Sequence, residues 1–194
     1  MIKAIIFDNF GVLVTSHWEE FWGSLPTYEQ QEQARELNRA YDGGHIDKQE
    51  FLSSLQQATN KSAQDIEQAL FGYSDTKNNQ LLDYIRTELK PKYKIGLLSN
   101  ISTNWIRDEL LNIEEQKLFD DMVFSFEVGI TKPDPRIFEL TCQRLGVELS
   151  EAILVDDIDR YCSVAGGLGM KTVEYKDFVS AKKQIEQLLA NSNN

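Results

Sequence analysis

Lys3-Ala-Ile-Ile-Phe7 runs directly into Asp8, and the reading of the whole chain starts from that stretch. An apolar run of this length fits a strand buried on both faces, the pattern of a parallel sheet. It is too short for a signal-peptide core or a membrane span. A carboxylate directly after such a strand is usually a turn or helix cap, so its meaning depends on what ends the other strands.

Four similar runs follow. Lys94-Ile-Gly-Leu-Leu98 ends in Ser99-Asn100, and Met122-Val-Phe-Ser-Phe126 leads to a turn at Glu127-Val-Gly129. Ala152-Ile-Leu-Val155 ends in Asp156-Asp157, and Lys171-Thr-Val-Glu-Tyr175 is the last. Helical spacings separate them: Leu81, Leu82, Ile85 and Leu89; then Trp105, Leu110 and Leu111; then Pro135 to Leu145, with an early proline and Gly146 as end signals. Ala181 to Leu189 gives a closing amphipathic helix. This alternation predicts an α/β fold with a doubly wound, Rossmann-like parallel sheet.

Residues 15–76 break the rhythm. Phe21, Trp22 and Leu25, then Ala34, Leu37 and Tyr41, then Phe51, Leu52 and Leu55, then Ile66, Leu70 and Phe71 recur at helical spacing. They predict a helical insert, with turns at Asp42-Gly-Gly44 and Thr59-Asn-Lys61. The expected organisation is a core of residues 1–14 and 77–194 and a helical unit of residues 15–76.

Composition narrows the partners. The 194 residues carry 20 Lys plus Arg against 31 Asp plus Glu, a formal net charge of −11. Such a surface repels phosphate backbones, so no nucleic-acid partner is expected, and no apolar stretch approaches a membrane span. Cys142 and Cys162 lack metal-ligand spacing and fit small core residues. The absence of a disulfide framework suits a reducing, cytoplasmic setting.

In open parallel sheets, ligands bind at the carboxyl ends of the strands. Three runs end there in reactive groups: Asp8, Ser99-Asn100 and Asp156-Asp157. Lys132, in Thr131-Lys-Pro-Asp134, joins them. Asp8 can attack phosphorus as a nucleophile. Ser99 and Asn100 can hold phosphoryl oxygens, and Lys132 can bind the phosphate and offset Asp8. Three ionised carboxylates would repel one another strongly without a compensating cation. Mg²⁺, which favours a few carboxylates with water and phosphate oxygens, is the expected cofactor.

These motifs resemble the haloacid-dehalogenase-like hydrolase superfamily over nearly the whole chain. They are Ile6-Phe-Asp-Asn-Phe-Gly-Val-Leu13, Leu97-Leu-Ser-Asn100, Lys132 in Thr-Lys-Pro-Asp-Pro-Arg-Ile-Phe138, and Leu154-Val-Asp-Asp157 followed by Gly167-Leu-Gly-Met170. The resemblance implies an α-helical cap inserted after the first motif. It also implies a metal site formed by Asp8, the Phe10 carbonyl, Asp156 and Asp157. The stretch Tyr41-Asp-Gly-Gly-His-Ile-Asp-Lys-Gln-Glu-Phe51 resembles the branch of sugar-phosphate phosphatases and epoxide hydrolase amino-terminal domains. The implied reaction is hydrolysis of a small phosphorylated metabolite through an aspartyl phosphate, by a monomer or homodimer.

Two departures stand out. Most phosphatases of this superfamily carry an acid/base Asp where this chain has Phe10, and loss of such help costs about 10²- to 10⁴-fold in rate. Tyr161 replaces an Asn found in many relatives. Two alternatives therefore stay open: a non-catalytic domain that binds a phosphorylated ligand or a protein, and a metal-free 2-haloacid dehalogenase. In the helical unit, His17 is the candidate substrate contact, while Trp18 and Trp22, four residues apart, fit packing of one helix on its neighbours.

Overall fold

The structure is a computed structural model and describes residues 1–15, 18–71 and 76–192. Among these, one parallel five-stranded sheet has the order β3-β2-β1-β4-β5. The strands are β1 (Ala4–Phe7), β2 (Lys94–Ser99), β3 (Asp121–Phe124), β4 (Ala152–Asp156) and β5 (Lys171–Glu174). Helices α1 (Trp18–Gly23), α2 (Tyr28–Asp42), α3 (Lys48–Thr59) and α4 (Ala63–Phe71) follow β1. Then come α5 (Asn79–Tyr84), α6 (Ile113–Gln116), α7 (Ser125–Val128), α8 (Pro135–Leu145), α9 (Asp159–Gly167) and α10 (Phe178–Ser192).

Strand periodicity of two sorts the sheet's side chains onto two faces. Ile5, Phe7, Ile95, Leu97, Ile153 and Val155 pack with Leu81, Leu82 and Ile185 of α5 and α10. Ala4, Ile6, Leu98 and Leu154 pack with Phe138, Cys142 and Ala165 of α8 and α9. Helices on both faces explain why the strands read as unbroken apolar runs. Gly96 in β2 allows close approach, because a Cβ there would lie 2.9 Å from Leu145 Cδ1 and 3.2 Å from Ile6 Cγ1.

Register positions the chemistry. Phe7 lies opposite Leu97 on one side and Val155 on the other. One residue further, Asp8 is level with Asp156, and its N–H donates to Val155 O at 2.9 Å.

Local details differ from expectation: β5 stops one residue short of Tyr175, Asp42 closes α2 instead of opening a turn, and the helical spacing after β2 is a π-helical turn at Ile106–Leu110. The third strand was expected to reach Phe126 but ends at Phe124. Ser99, the last residue of β2, pairs with Phe124, so residues beyond have no ladder partner. Ser125–Val128 turns helical instead and ends at Gly129, in the left-handed region at φ 66°. The apolar spacing from Leu81 to Leu89 is also not one uniform helix: α5 passes into a π-helical turn at Ile85–Leu89. By contrast, α8 begins and ends where its proline and glycine indicate.

Helices α1 to α4 carry a separate cluster that includes Phe21, Trp22, Phe51, Leu55 and Ile66. The Tyr41 and Phe51 rings stack at 4.6 Å, and Trp18 lies 5.5 Å from Trp22. The segments joining this helical unit to the sheet run side by side: Val14 bridges Lys77, and Thr15 N–H donates to Thr76 O at 3.2 Å.

Candidate active site

Lys132 is the centre of the sheet's carboxyl edge. Its Nζ lies 2.9 Å from Asp8 Oδ1 and 2.6 Å from Asp156 Oδ2. All three residues are buried. An ammonium and two carboxylates withdrawn from water persist only when they neutralise one another closely. The carboxylates are oriented further by main-chain donors: Asn9 N–H to Asp8 Oδ1 at 2.6 Å, and Ile158 N–H to Asp156 Oδ1 at 3.0 Å. Burial and the charges of Asp156 and Asp157 push the Asp8 carboxyl above the usual carboxylate range, against the pull of Lys132. Asp156 and Asp8 together hold the Lys132 ammonium above its ordinary pKa despite burial.

Asn100 fixes Lys132 from behind. Its carboxamide donates to Lys132 O at 3.0 Å and accepts from Lys132 N–H at 2.8 Å. The Tyr161 ring has its centroid 5.1 Å from Lys132 Nζ. That separation is within cation–π range. Ser99 is fully buried, with its hydroxyl 3.5 Å from Asn100 O. The edge thus gathers Asp8, Asn100, Lys132, Asp156 and Asp157, with Ser99 buried beside Asn100 at the end of β2. His17 lies outside the described residues.

Ligand-atom geometry suits a hard divalent ion. One carboxylate oxygen from each of Asp8, Asp156 and Asp157 falls within 4.8 Å of the others. Gly11 makes room for this arrangement. It has φ +81°, and a side chain there would collide with the Asp157 carboxylate. An all-oxygen set with excess negative charge fits Mg²⁺.

A cleft of about 970 Å³ opens between this edge and the helical unit. Asp8, Lys132 and Asp157 line the core side; Trp18, Trp22 and Asp42 line the other. Phe10 is a wall of the cleft and stacks on Trp105 at 6.1 Å, with the rings 9° from parallel. Asp42 was read from the sequence only as part of a turn. It is buried, accepts from Asn38 Nδ2 at 3.0 Å, and burial pushes its carboxyl up to about 7. The sequence signal was faint: an acidic residue at the end of an amphipathic helix, before two glycines.

The sequence matches the haloacid dehalogenase-like hydrolases over residues 2–160. The chain belongs to that family. D-ribitol-5-phosphate phosphatase of Bacteroides thetaiotaomicron is 25% identical over 209 residues, covering 97% of this chain and 99% of that protein. A shorter stretch of 75 residues, 39% of this chain, is 45% identical to acyl-CoA dehydrogenase family member 10 of Mus musculus. The chain spans only 7% of that protein's length, and 21% of bifunctional epoxide hydrolase 2 of Sus scrofa. The fold recurs in a haloacid dehalogenase-family enzyme of Bacteroides thetaiotaomicron solved with magnesium and inorganic phosphate. It has a TM-score of 0.62, 23% identity, and coverage of 91% of this chain and 95% of that one. A dehalogenase solved as an intermediate complex has the same fold, with a TM-score of 0.66, 21% identity, and coverage of 90% and 85%.

Among the described residues, no helix is long and apolar enough to cross a membrane.

Proposed function

We propose that this haloacid dehalogenase-like hydrolase is a magnesium-dependent phosphatase of a small phosphorylated metabolite. The observation that carries this reading is the Asp8–Lys132–Asp156 cluster with Asp157 beside it, at the sheet edge and open to the cleft. Asp8, Asp156 and Asp157, with the Phe10 carbonyl, are the residues to hold magnesium, which when bound supplies positive charge for the phosphate and for the crowded carboxylates.

The chain's own residues account for the other steps. Asp8 attacks phosphorus to give an aspartyl phosphate, and the P–O bond to the leaving group breaks. Lys132, fixed by Asp156 and Asn100, keeps its charge on the phosphoryl group as negative charge shifts toward the leaving oxygen. Water then attacks the aspartyl phosphate, releasing phosphate and restoring Asp8. Residues 15–76 serve as the cap: the helical unit covers the cleft, excludes water and contributes the substrate contacts. His17, close after the first motif, belongs to those proposed contacts. Sugar or polyol phosphates are the substrate class, in keeping with the ribitol-5-phosphate phosphatase that aligns along its whole length.

One feature favours a second reading. Phe10 is aromatic, as the same position often is in haloacid dehalogenases, and their fold is shared. The two readings differ in metal dependence. A panel of phosphomonoesters with Mg²⁺ should give turnover that excess chelator removes and that Asp8→Asn lowers by at least about 10⁴-fold. Release of halide from a 2-haloacid, undiminished by chelator, would establish the dehalogenase reading instead.

A further inference from the structure

We infer that Asp42 of the helical unit is the acid/base that the sheet edge lacks. The inference rests on the phosphatase reading and supplies the proton transfer that Phe10 cannot perform. Phe10 is apolar and stacked on Trp105, so it contributes a wall and no proton.

Three observations place Asp42 for the task. It lines the same cleft as Asp8, Lys132 and Asp157, from the opposite side. Its main chain is tied to the catalytic edge, because Ser125 Oγ donates to Asp42 O. The same Ser125 oxygen accepts from Ile101 N–H at 2.9 Å, and Ile101 adjoins Asn100, the residue that clasps Lys132. A short chain of hydrogen bonds therefore fixes where α2 ends relative to Lys132. Among the described residues, Asn38 donates to one carboxyl oxygen of Asp42, Oδ2. The other oxygen is the one assigned to carry the transferable proton.

The electrostatics agree. Burial raises the carboxyl, while Asn38 and the charge of Lys132 lower it, and the balance is about 7. A group balanced near neutrality can donate in one step and accept in the next. Other cleft carboxylates that are not in the metal cluster, Asp108 and Glu109, are exposed. Tyr161 is pushed by burial up to about 12, too weak an acid to serve both ways.

The steps balance. As Asp8 bonds to phosphorus, the P–O bond to the leaving group breaks and the Asp42 proton passes to that oxygen. In the second half, the Asp42 carboxylate takes a proton from the attacking water. The hydroxide oxygen bonds to phosphorus, Asp8 leaves, and Asp42 is protonated again.

The test is a series of phosphomonoesters with graded leaving-group pKa, run on the full chain with Mg²⁺ for wild type, Asp42→Asn and Asp42→Glu. Wild type should depend weakly on leaving group. Asp42→Asn should lose about 10²-fold or more on alkyl phosphates; on p-nitrophenyl phosphate, whose release needs no acid, the first turnover should slow by less than about fivefold while later turnovers slow with the second step. Asp42→Glu, which keeps a carboxyl, should recover part of the alkyl-ester rate. Binding of beryllium fluoride with Mg²⁺ by calorimetry reports whether each variant keeps an intact site. An equal loss in first-turnover rate on all esters, or none, with the mimic still bound, overturns the role of Asp42 and leaves the phosphatase reading standing. No turnover of any ester by wild type removes the phosphatase reading, and the role of Asp42 with it.

Discussion

The two walls of the cleft are built by different physics. The sheet edge is a buried ionic cluster: Lys132 is held by two carboxylates and by both polar ends of the Asn100 side chain. Each group has several restraints, and removing one leaves another uncompensated. The helical unit holds itself together by aromatic packing around Phe51 and Tyr41. Among the described residues it meets the core at the Val14–Lys77 bridge, at the Ser125–Asp42 hydrogen bond and where Gly44 lies against Phe126. The edge is thus held by charge, and the helical unit by packing of its own.

Lys132→Ala gives the largest expected effect and strikes at the contrast. It leaves Asp8 and Asp156 buried without their shared cation. Breaking a buried ionic cluster in this way costs about 3–5 kcal/mol, and turnover should vanish. Urea unfolding at neutral pH measures the loss, and Mg²⁺ should restore part of it by supplying positive charge. A loss below about 1 kcal/mol would mean that water reaches the cluster and that the edge is no more restrained than the helical unit.

Phe51→Ala makes the matching cut in the helical unit. Phe51 is fully buried and stacks on Tyr41. Removing such a ring from a core costs about 3–5 kcal/mol. Because this cluster is separate from the two sheet clusters, the loss should be local. Hydrogen exchange should speed up in α1 to α4 while β1, β2 and β4 stay protected. Uniform loss of protection would show that the two walls unfold as one unit.

The same contrast explains what could be read in the sequence. The sheet was legible because strands buried on both faces must be apolar throughout, and because the groups ending them are few and chemically distinct. Asp8, Lys132, Asp156 and Asp157 stand out in the sequence as charged groups at or near strand ends, and the structure brings them to one edge. The service Asn100 gives Lys132 was not visible, because a side chain clasping a peptide 32 residues away leaves no local pattern. The end of β3 was missed for a similar reason: Ser125 and Phe126 continue an apolar-looking run, but β2 offers no partner beyond Ser99. Asp42 was hidden most deeply. In sequence it precedes two glycines and reads as a turn, while its environment is made by Asn38 on its own helix, by Ser125 in direct contact and by Lys132 across the cleft.

The most gradual expected effect concerns that seam. The Asp42 carboxyl moves from an ordinary value of 3.8 in the unfolded chain to about 7 in the folded one, chiefly through burial. Between those values the native protein holds a proton that the unfolded chain has released. Stability from this group is therefore full below about pH 4, falls as pH rises, and levels off above about pH 7. The slope is at most about 1.4 kcal/mol per pH unit. Other groups titrate in the same window, Asp8 among them, and Glu115 acts in the opposite sense because Lys77 and the Asn112 N–H hold its carboxyl below the usual range. Their contributions largely cancel when wild type is compared with Asp42→Asn under the same conditions. Relative to the variant, wild type should lose stability from pH 4 to 7, in urea unfolding and in the exchange protection of α2. A flat difference would mean that water reaches the Asp42 carboxyl in solution and that the seam between helical unit and sheet edge stands open. A sloping one would mean that the carboxyl stays dry while the protein is folded, so that the two walls, different as they are, close on one another without a bound ligand.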